Sequence, residues 1–369
     1  MAVAIDAATG RAFVLSQATA NERVSVLDTV GRRVVQTIEW PWGLKPTSGL
    51  PSPNAVAIDG RSGRVFVIDA NTDSINVLDM RSRRVLRRVA APWSPNAVAV
   101  DGQTARVFIV GGRVAMLDAR TGAPLREIPI GGDAVAIDAR AARLYGHGVA
   151  AVHILDAASG AIVRTVGVGG APTAIAVDMQ SSRAFVTNMA GNTVSMLDTR
   201  GGRVLSTIAV QATPFAVAID SRTNRAFVAA LGYGAHSGGG VSVLDATTGV
   251  LLRTVPLTGN PGAVAIDTRS GHVFVGGVTG QSVTVLDATS GALLRTYPVG
   301  DGPHVIAVDE RTGRVVVTNA NVATITDTDR LIAGICSWGG LGRLLQQTPR
   351  CASAARVGTV SILDTRAGR

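Results

Sequence analysis

Apolar residues occur along most of the chain in short runs, separated by polar turns rich in Asp and Gly. One stretch shows the grammar. Ala263-Val264-Ala265-Ile266 is a continuous apolar run and predicts a buried strand. Asp267-Thr268-Arg269-Ser270-Gly271 predicts a turn, and His272-Val273-Phe274-Val275 a second strand. Ser282-Val283-Thr284-Val285-Leu286 alternates and predicts a third strand. A second turn, Asp287 to Gly291, leads to a fourth, outer strand from Leu293 to Val299. Short apolar runs bounded by Asp and Gly are hairpin signals. In such turns Asp accepts a backbone N–H, and Gly takes the left-handed position. No amphipathic helical period persists before residue 330.

The same grammar recurs. Segments resembling Pro-x-Ala-Val-Ala-Ile-Asp end at Asp6, Asp59, Asp101, Asp138, Asp178, Asp220, Asp267 and Asp309, spaced 37 to 53 residues apart. A second landmark, resembling Val-Ser-Val-Leu-Asp, ends at Asp28, Asp79, Asp118, Asp156, Asp198, Asp245, Asp287 and Asp364. Four antiparallel strands at this period make one propeller blade. The sequence therefore predicts an all-β, eight-bladed β-propeller in one domain spanning 1–369. Its blades start near residues 2, 53, 95, 133, 172, 214, 261 and 303, and the last is interrupted by an insertion at 322–357. A lone four-stranded sheet cannot bury both faces, so neighbouring blades must stack. Arg87, Arg126, Arg164, Arg253 and Arg295 fall on the outer strands, where charge opposes edge-to-edge aggregation.

The chain resembles the YVTN family of β-propeller repeats. The name-giving stretch reads Phe185-Val186-Thr187-Asn188 in one blade and Val316-Val317-Thr318-Asn319 in another, flanked by the two landmarks and by Thr-Gly-Arg turns. The resemblance covers nearly everything outside 322–357. It implies a binding or scaffold protein located outside the cytoplasm, and it carries no catalytic residue over.

Strands alternate in direction, so loops sort onto two faces. The first-to-second and third-to-fourth turns share one face, uniformly Asp-x-x-x-Gly or close variants. Their 16 Asp are expected to be structural, which leaves ten of the 26 acidic residues for other roles. The other face carries the second-to-third loops and the blade-to-blade links, and it is irregular. It holds all four Trp (Trp40, Trp42, Trp93 and Trp338), together with Lys45, Tyr233, His147, His236 and His304. Varied loops on a rigid scaffold are where binding resides in many folds. The candidate ligand-binding residues are therefore Trp40, Trp42, Lys45, Trp93, Tyr233, His236, His304 and Trp338. The Trp residues can either cover apolar edges between blades or stack a carbohydrate, nucleobase or peptide. The His residues sit on different blades, which favours solvated loop positions over a metal site. His153 and His272 fall in strands and are expected to be structural.

Composition changes this picture only at the margins. The net charge of +9 comes almost wholly from Arg, with Lys45 the single Lys. That reflects either codon bias or a surface for polyanions. Cys336 and Cys351 are the two Cys and both lie in the insertion; without a Cys-x-x-Cys they favour a local disulfide in an oxidising compartment. The piece Gly342 to Gln347 can form a short helix that caps the disc. No apolar stretch is long enough to span a membrane. Repeat sequence starts at once after Met1 and stops after the third strand of the last blade, so that blade is expected to lack its outer strand. An upstream segment, following a signal peptide, is the expected source of the missing strand.

The leading functional expectation is a monomeric, non-catalytic binding or scaffold propeller, without cofactor. Its partner, on the variable face, is an unidentified protein, glycan or small molecule. The alternatives are a propeller enzyme or cofactor protein (lactonase-like, or binding haem or quinone) and a binder of single-stranded nucleic acid. The enzyme reading lacks a Gly-x-Ser-x-Gly elbow, a Walker loop and a His-Glu-x-x-His. The nucleic-acid reading is disfavoured because most Arg lie beside the uniform turns, away from the Trp-bearing loops.

Overall fold

The computed structural model describes residues 2–6, 8–17, 22–39, 55–69, 73–82, 84–91, 94–131, 135–138, 143–148, 150–232, 239–319, 331–333 and 359–364. These residues form eight four-stranded antiparallel sheets. Seven of them order their strands as they follow in the chain. In the fifth blade, for example, β17 (Pro172–Asp178), β18 (Arg183–Asn188), β19 (Thr193–Asp198) and β20 (Arg203–Ala209) lie side by side. The innermost strand of each sheet packs against that of the next. β29 (Pro303–Asp309) also packs against β1 (Ala2–Asp6), which closes the ring. The fold is a β-propeller.

Burial follows the radial position of each strand. Second strands are buried almost end to end, as in β6 (Arg64–Asp69) and β18. Outer strands such as β24 (Leu251–Pro256) are mostly exposed. The core is divided into eight layers. Each apolar cluster joins two neighbouring blades, for instance Val152, Ile154 and Val166 of one with Ala184, Val186 and Leu197 of the next. The largest buried side chains are Phe13, Phe66, Phe108, Phe185, Phe227 and Phe274, one per blade in the same place on the second strand. Each stands opposite an Ala of the inner strand, as in Phe185↔Ala176 and Phe274↔Ala265. A large ring outside and a methyl inside match the wedge shape of a blade that narrows toward the axis. Each buried Phe contributes roughly 1.5–3 kcal/mol.

The seam between the last and first blades is a layer like the others. Ala12, Val14 and Leu27 pack on Val316 and Ile362, the Thr29 hydroxyl donates to Asp309 Oδ2 at 3.2 Å, and Arg32 pairs with Asp364 at 3.1 Å. No strand is exchanged across it among the described residues. The eighth blade corrects the expected missing outer strand. β31 (Leu331–Ala333), from the insertion, pairs antiparallel with β32 (Thr359–Asp364) in the fourth position. The edge of β32 would otherwise present unpaired N–H and C=O groups, and a nearby length of chain satisfies them. The rest of the insertion lies outside the described residues.

Candidate functional site

The turn face is built from caps. Asp178 is buried and receives the backbone N–H of Gln180 at 3.0 Å and of Ser181 at 3.2 Å, the Ser181 hydroxyl at 2.5 Å and, from the next blade, the Ser221 hydroxyl at 2.6 Å. Burial raises its pKa, but these bonds outweigh burial and the net shift is downward. Asp6, Asp59, Asp101, Asp220, Asp267 and Asp309 are buried in the same place. The outer turns repeat the device, and there an Arg at the start of the second strand adds an ion pair: Arg64 with Asp79, Arg225 with Asp245 and Arg314 with Asp364. In the seventh blade His272 replaces that Arg opposite Asp287, with its ring edge-on to Phe274 at 6.3 Å. Desolvation, with Arg295, lowers the His272 pKa. Every Asp whose turn is described accepts hydrogen bonds from its own turn, as the sequence expects.

The opposite face differs at the axis. The residue before the inner-strand Pro is left-handed in successive blades: Ala171 (φ 51°), Thr213 (φ 60°), Asn260 (φ 53°) and Gly302 (φ 62°). Left-handed Thr213 is an outlier for a β-branched residue, a kind of strain that concentrates at functional sites. Each of the same four blades then bulges just after the Pro. Thr173, Phe215, Gly262 and His304 are the extra residues. They have no cross-strand partner and form a contiguous arc around the axial mouth. A bulge re-aims a side chain away from the sheet pattern. In the fifth blade it is held by the Thr of the Phe-Val-Thr-Asn stretch: Thr187 Oγ1 accepts the Ala174 N–H at 2.9 Å and lies 2.9 Å from Thr173 Oγ1. The Thr173 hydroxyl donates in turn to the Pro214 carbonyl of the next blade at 3.1 Å. Asn188 holds the following loop, donating to Thr193 Oγ1 at 3.0 Å and Ser195 Oγ at 2.9 Å.

Within the arc, Phe215 is 40% exposed. Beside it Gly262 is buried and leaves no room for a side chain. A Cβ there would lie 2.8 Å from Val278 Cγ1, 3.1 Å from Leu231 Cδ2 and 3.8 Å from Phe215 Cδ1. Leu231 and Val278 are fixed by backbone bonds from their N–H groups to the carbonyls of left-handed Thr213 and Asn260. Asn260 is braced through its side chain, donating to the Leu231 carbonyl at 2.7 Å and accepting from the Thr279 hydroxyl at 2.6 Å. The result is a rigid mouth with one exposed aromatic ring, packed beside buried Gly262, and an exposed His304 whose pKa is lowered by desolvation. Such a surface is suited to gripping an apolar side chain with polar neighbours around it.

Of the residues expected from sequence, His304 falls in this arc. Trp40, Trp42, Lys45, Trp93, Tyr233, His236 and Trp338 lie outside the described residues, as do Cys336 and Cys351. His147 is placed only as part of β14 (Arg143–Gly148). His153 lies in a strand, 3.0 Å through Nδ1 from Thr165 Oγ1, and desolvation lowers its pKa. Sequence reading missed Thr173, Phe215 and Gly262. Their signal is the single varied position inside Pro-x-Ala, where the flanking residues repeat and x does not. Among the described residues, no three His, Cys, Asp or Glu converge as metal ligands, and no helix is long and apolar enough to cross a membrane.

Comparison with solved structures finds the same fold in unrelated settings. The C-terminal WD40 domain of Sif2 aligns with a TM-score of 0.71 at 9% identity, covering 98% of this chain and 95% of that one. The computationally designed Ika8 protein aligns at 0.67 and 17% identity, over 86% and 92% of the two chains. Hydrazine synthase of Kuenenia stuttgartiensis aligns at 0.62 and 16% identity, over 76% and 96%. These likenesses speak to fold alone. Among curated proteins nothing matches. The sequence profile of the family described as outer membrane protein assembly factor BamB matches residues 112–280 and again 148–336, in overlapping registers that the repeats themselves create. The two matches span 112–336, more than half the chain, and the protein belongs to that BamB family of β-propeller repeats.

Proposed function

We propose that this protein is a non-catalytic scaffold propeller that works outside the cytoplasm and grips a partner protein at the axial mouth of its variable face. The observation that carries this reading is the contiguous arc of four bulges, with exposed Phe215 among the re-aimed residues. A scaffold role agrees with the family, whose description names an assembly factor. An extracytoplasmic setting agrees with the outer membrane in the same description, and it would let Cys336 and Cys351 form the disulfide expected from sequence. The repeat reads as the YVTN type at Phe185-Val186-Thr187-Asn188, a finer assignment than the family match makes. Trp40, Trp42, Trp93 and Trp338, with Lys45, Tyr233 and His236, belong to loops of the same face by their place in the repeat and would extend the grip. The described mouth pairs no nucleophile with a base. Its one hydroxyl in the arc, on Thr173, is already engaged by Thr187 and Pro214.

Selection from a random peptide library on the immobilised protein tests the reading. Enriched peptides should share a large apolar anchor and lose on the order of tenfold or more in affinity against Phe215→Ser, the worth of one buried aromatic contact. Peptides that bind Phe215→Ser as well as the parent would remove the mouth from consideration. Thiol titration of non-reduced protein checks the disulfide: no free thiol is expected, and two would argue against an oxidising compartment.

A further inference from the structure

The turn face is uniform, yet its outermost layer is neither neutral nor polar throughout. Of the large apolar side chains left exposed, all but Phe215 lie in the turns of this face or on the first residues of outer strands rising from it. They are densest on the adjacent sixth and seventh blades. There Val250 (56% exposed), Leu251, Leu252 (47%), Leu293 (52%) and Leu294 follow directly on the turns that end at Gly249 and Gly291. Leu125 and Ile162 hold the corresponding places on the third and fourth blades. Rising at about 3.3 Å per residue, these positions form a collar within about 10 Å of the turn tips.

Charge is layered on the same collar. The turn Asp carboxylates point back into their turns and are buried or half-buried, while Arg61, Arg120, Arg200, Arg222, Arg269 and Arg311 stand exposed at the turn tips. Three of these reach across to backbone carbonyls of the following blade: Arg61 to Gly102, Arg222 to Thr268 and Arg269 to Glu310. Those bonds hold the guanidinium groups at the surface, where Arg222 also lies 3.8 Å from Asp220 Oδ2. Among the described residues Glu127 is the one fully exposed acid, and it pairs with Arg113 at 3.6 Å.

We propose that this collar docks the disc, turn face inward, on an anionic lipid bilayer. Three features choose a membrane over other polyanions. Exposed Leu and Val beside Arg match an interface whose headgroups are acidic and whose interior is apolar, whereas a nucleic acid backbone offers nothing to bury them. The collar's depth matches the roughly 5–10 Å that interfacial elements bury. Equivalent positions on a ring are coplanar, so a flat surface engages several blades at once and weak contacts multiply. The variable face then points away from the bilayer, free for a partner.

Vesicle sedimentation tests this on the full chain. Vesicles containing phosphatidylglycerol should pull the protein down at least about tenfold better than pure phosphatidylcholine, and added salt should weaken the effect. The double variant Leu252→Ser/Leu294→Ser should lose about tenfold in partitioning, with an unchanged circular dichroism spectrum, while Leu252→Met should retain binding. No preference for anionic vesicles would overturn the proposal. So would binding to an oligonucleotide of equal strength that ignores the Leu substitutions, since that outcome assigns the surface to nucleic acid.

Discussion

The two faces of the disc solve opposite problems with the same strands. On the turn face seven described inner strands end in a buried Asp whose oxygens close its own turn and, at Asp178, also receive a hydroxyl from the next blade. On the variable face each inner strand of blades five to eight follows a left-handed residue and begins with a bulge, and the bulged residue differs every time: Thr173, Phe215, Gly262 and His304. A structural element repeats because the same backbone problem recurs in every blade. A position the backbone does not constrain is where chemistry can change. The repeat thus separates folding from recognition within a single strand of seven residues, such as β17.

The contrast can be broken at either end. The largest effect is expected from Asp178→Ala, which strands several turn donors and a Ser221 hydroxyl; unfolding by denaturant should show a loss of about 3 kcal/mol. Next is acid. The pKa values of His153, His272 and His304 are lowered in the folded chain, so the unfolded chain takes up protons first. Their contribution is complete above the ordinary His value of about 6.5 and is lost as pH falls through the lowered folded values. Asp79, Asp118, Asp178, Asp245 and Asp287 are also lowered, so a second loss follows below about pH 4. A pH series of melting temperatures should show both windows, and His272→Arg, which restores the pairing that Arg64 and Arg225 make, should shrink the upper one.

A smaller gain is expected at Ala105. It occupies the left-handed turn position (φ 54°) that Gly10 and Gly63 hold in other blades. Ala105→Gly should stabilise by roughly 0.5–1 kcal/mol in the same denaturant experiment. The smallest stability effect belongs to the variable face. Phe215→Ser should move unfolding by no more than about 0.5 kcal/mol, as for exposed positions generally, while it removes the anchor for a partner.

The legibility of the sequence follows the same division. The spacing of the Asp landmarks was enough to place the strands, since buried second strands such as Arg64–Asp69 and the turns that start at Asp59 and Asp79 have residue requirements that repeat. The bulges were not legible, because a bulge adds no residue type of its own. It shows only as the shift from Pro172↔Asn188 to Ala174↔Thr187 in the pairing. The expectation for the eighth blade failed for a related reason. The outer position requires only backbone partners, and the three residues Leu331–Ala333 meet that requirement without the repeat pattern. The apolar collar was also passed over, because Leu251 and Leu293 read as ordinary strand residues until their exposure is known.

The most direct test of the division is hydrogen exchange of the protein with and without a peptide selected on it. Binding at the mouth should slow exchange in Ala171–Ala174, Thr213–Ala216 and Asn260–Ala263 and leave the turns at Asp178, Asp220 and Asp267 unchanged. Protection confined to those turns, with the mouth exchanging as before, would contradict it.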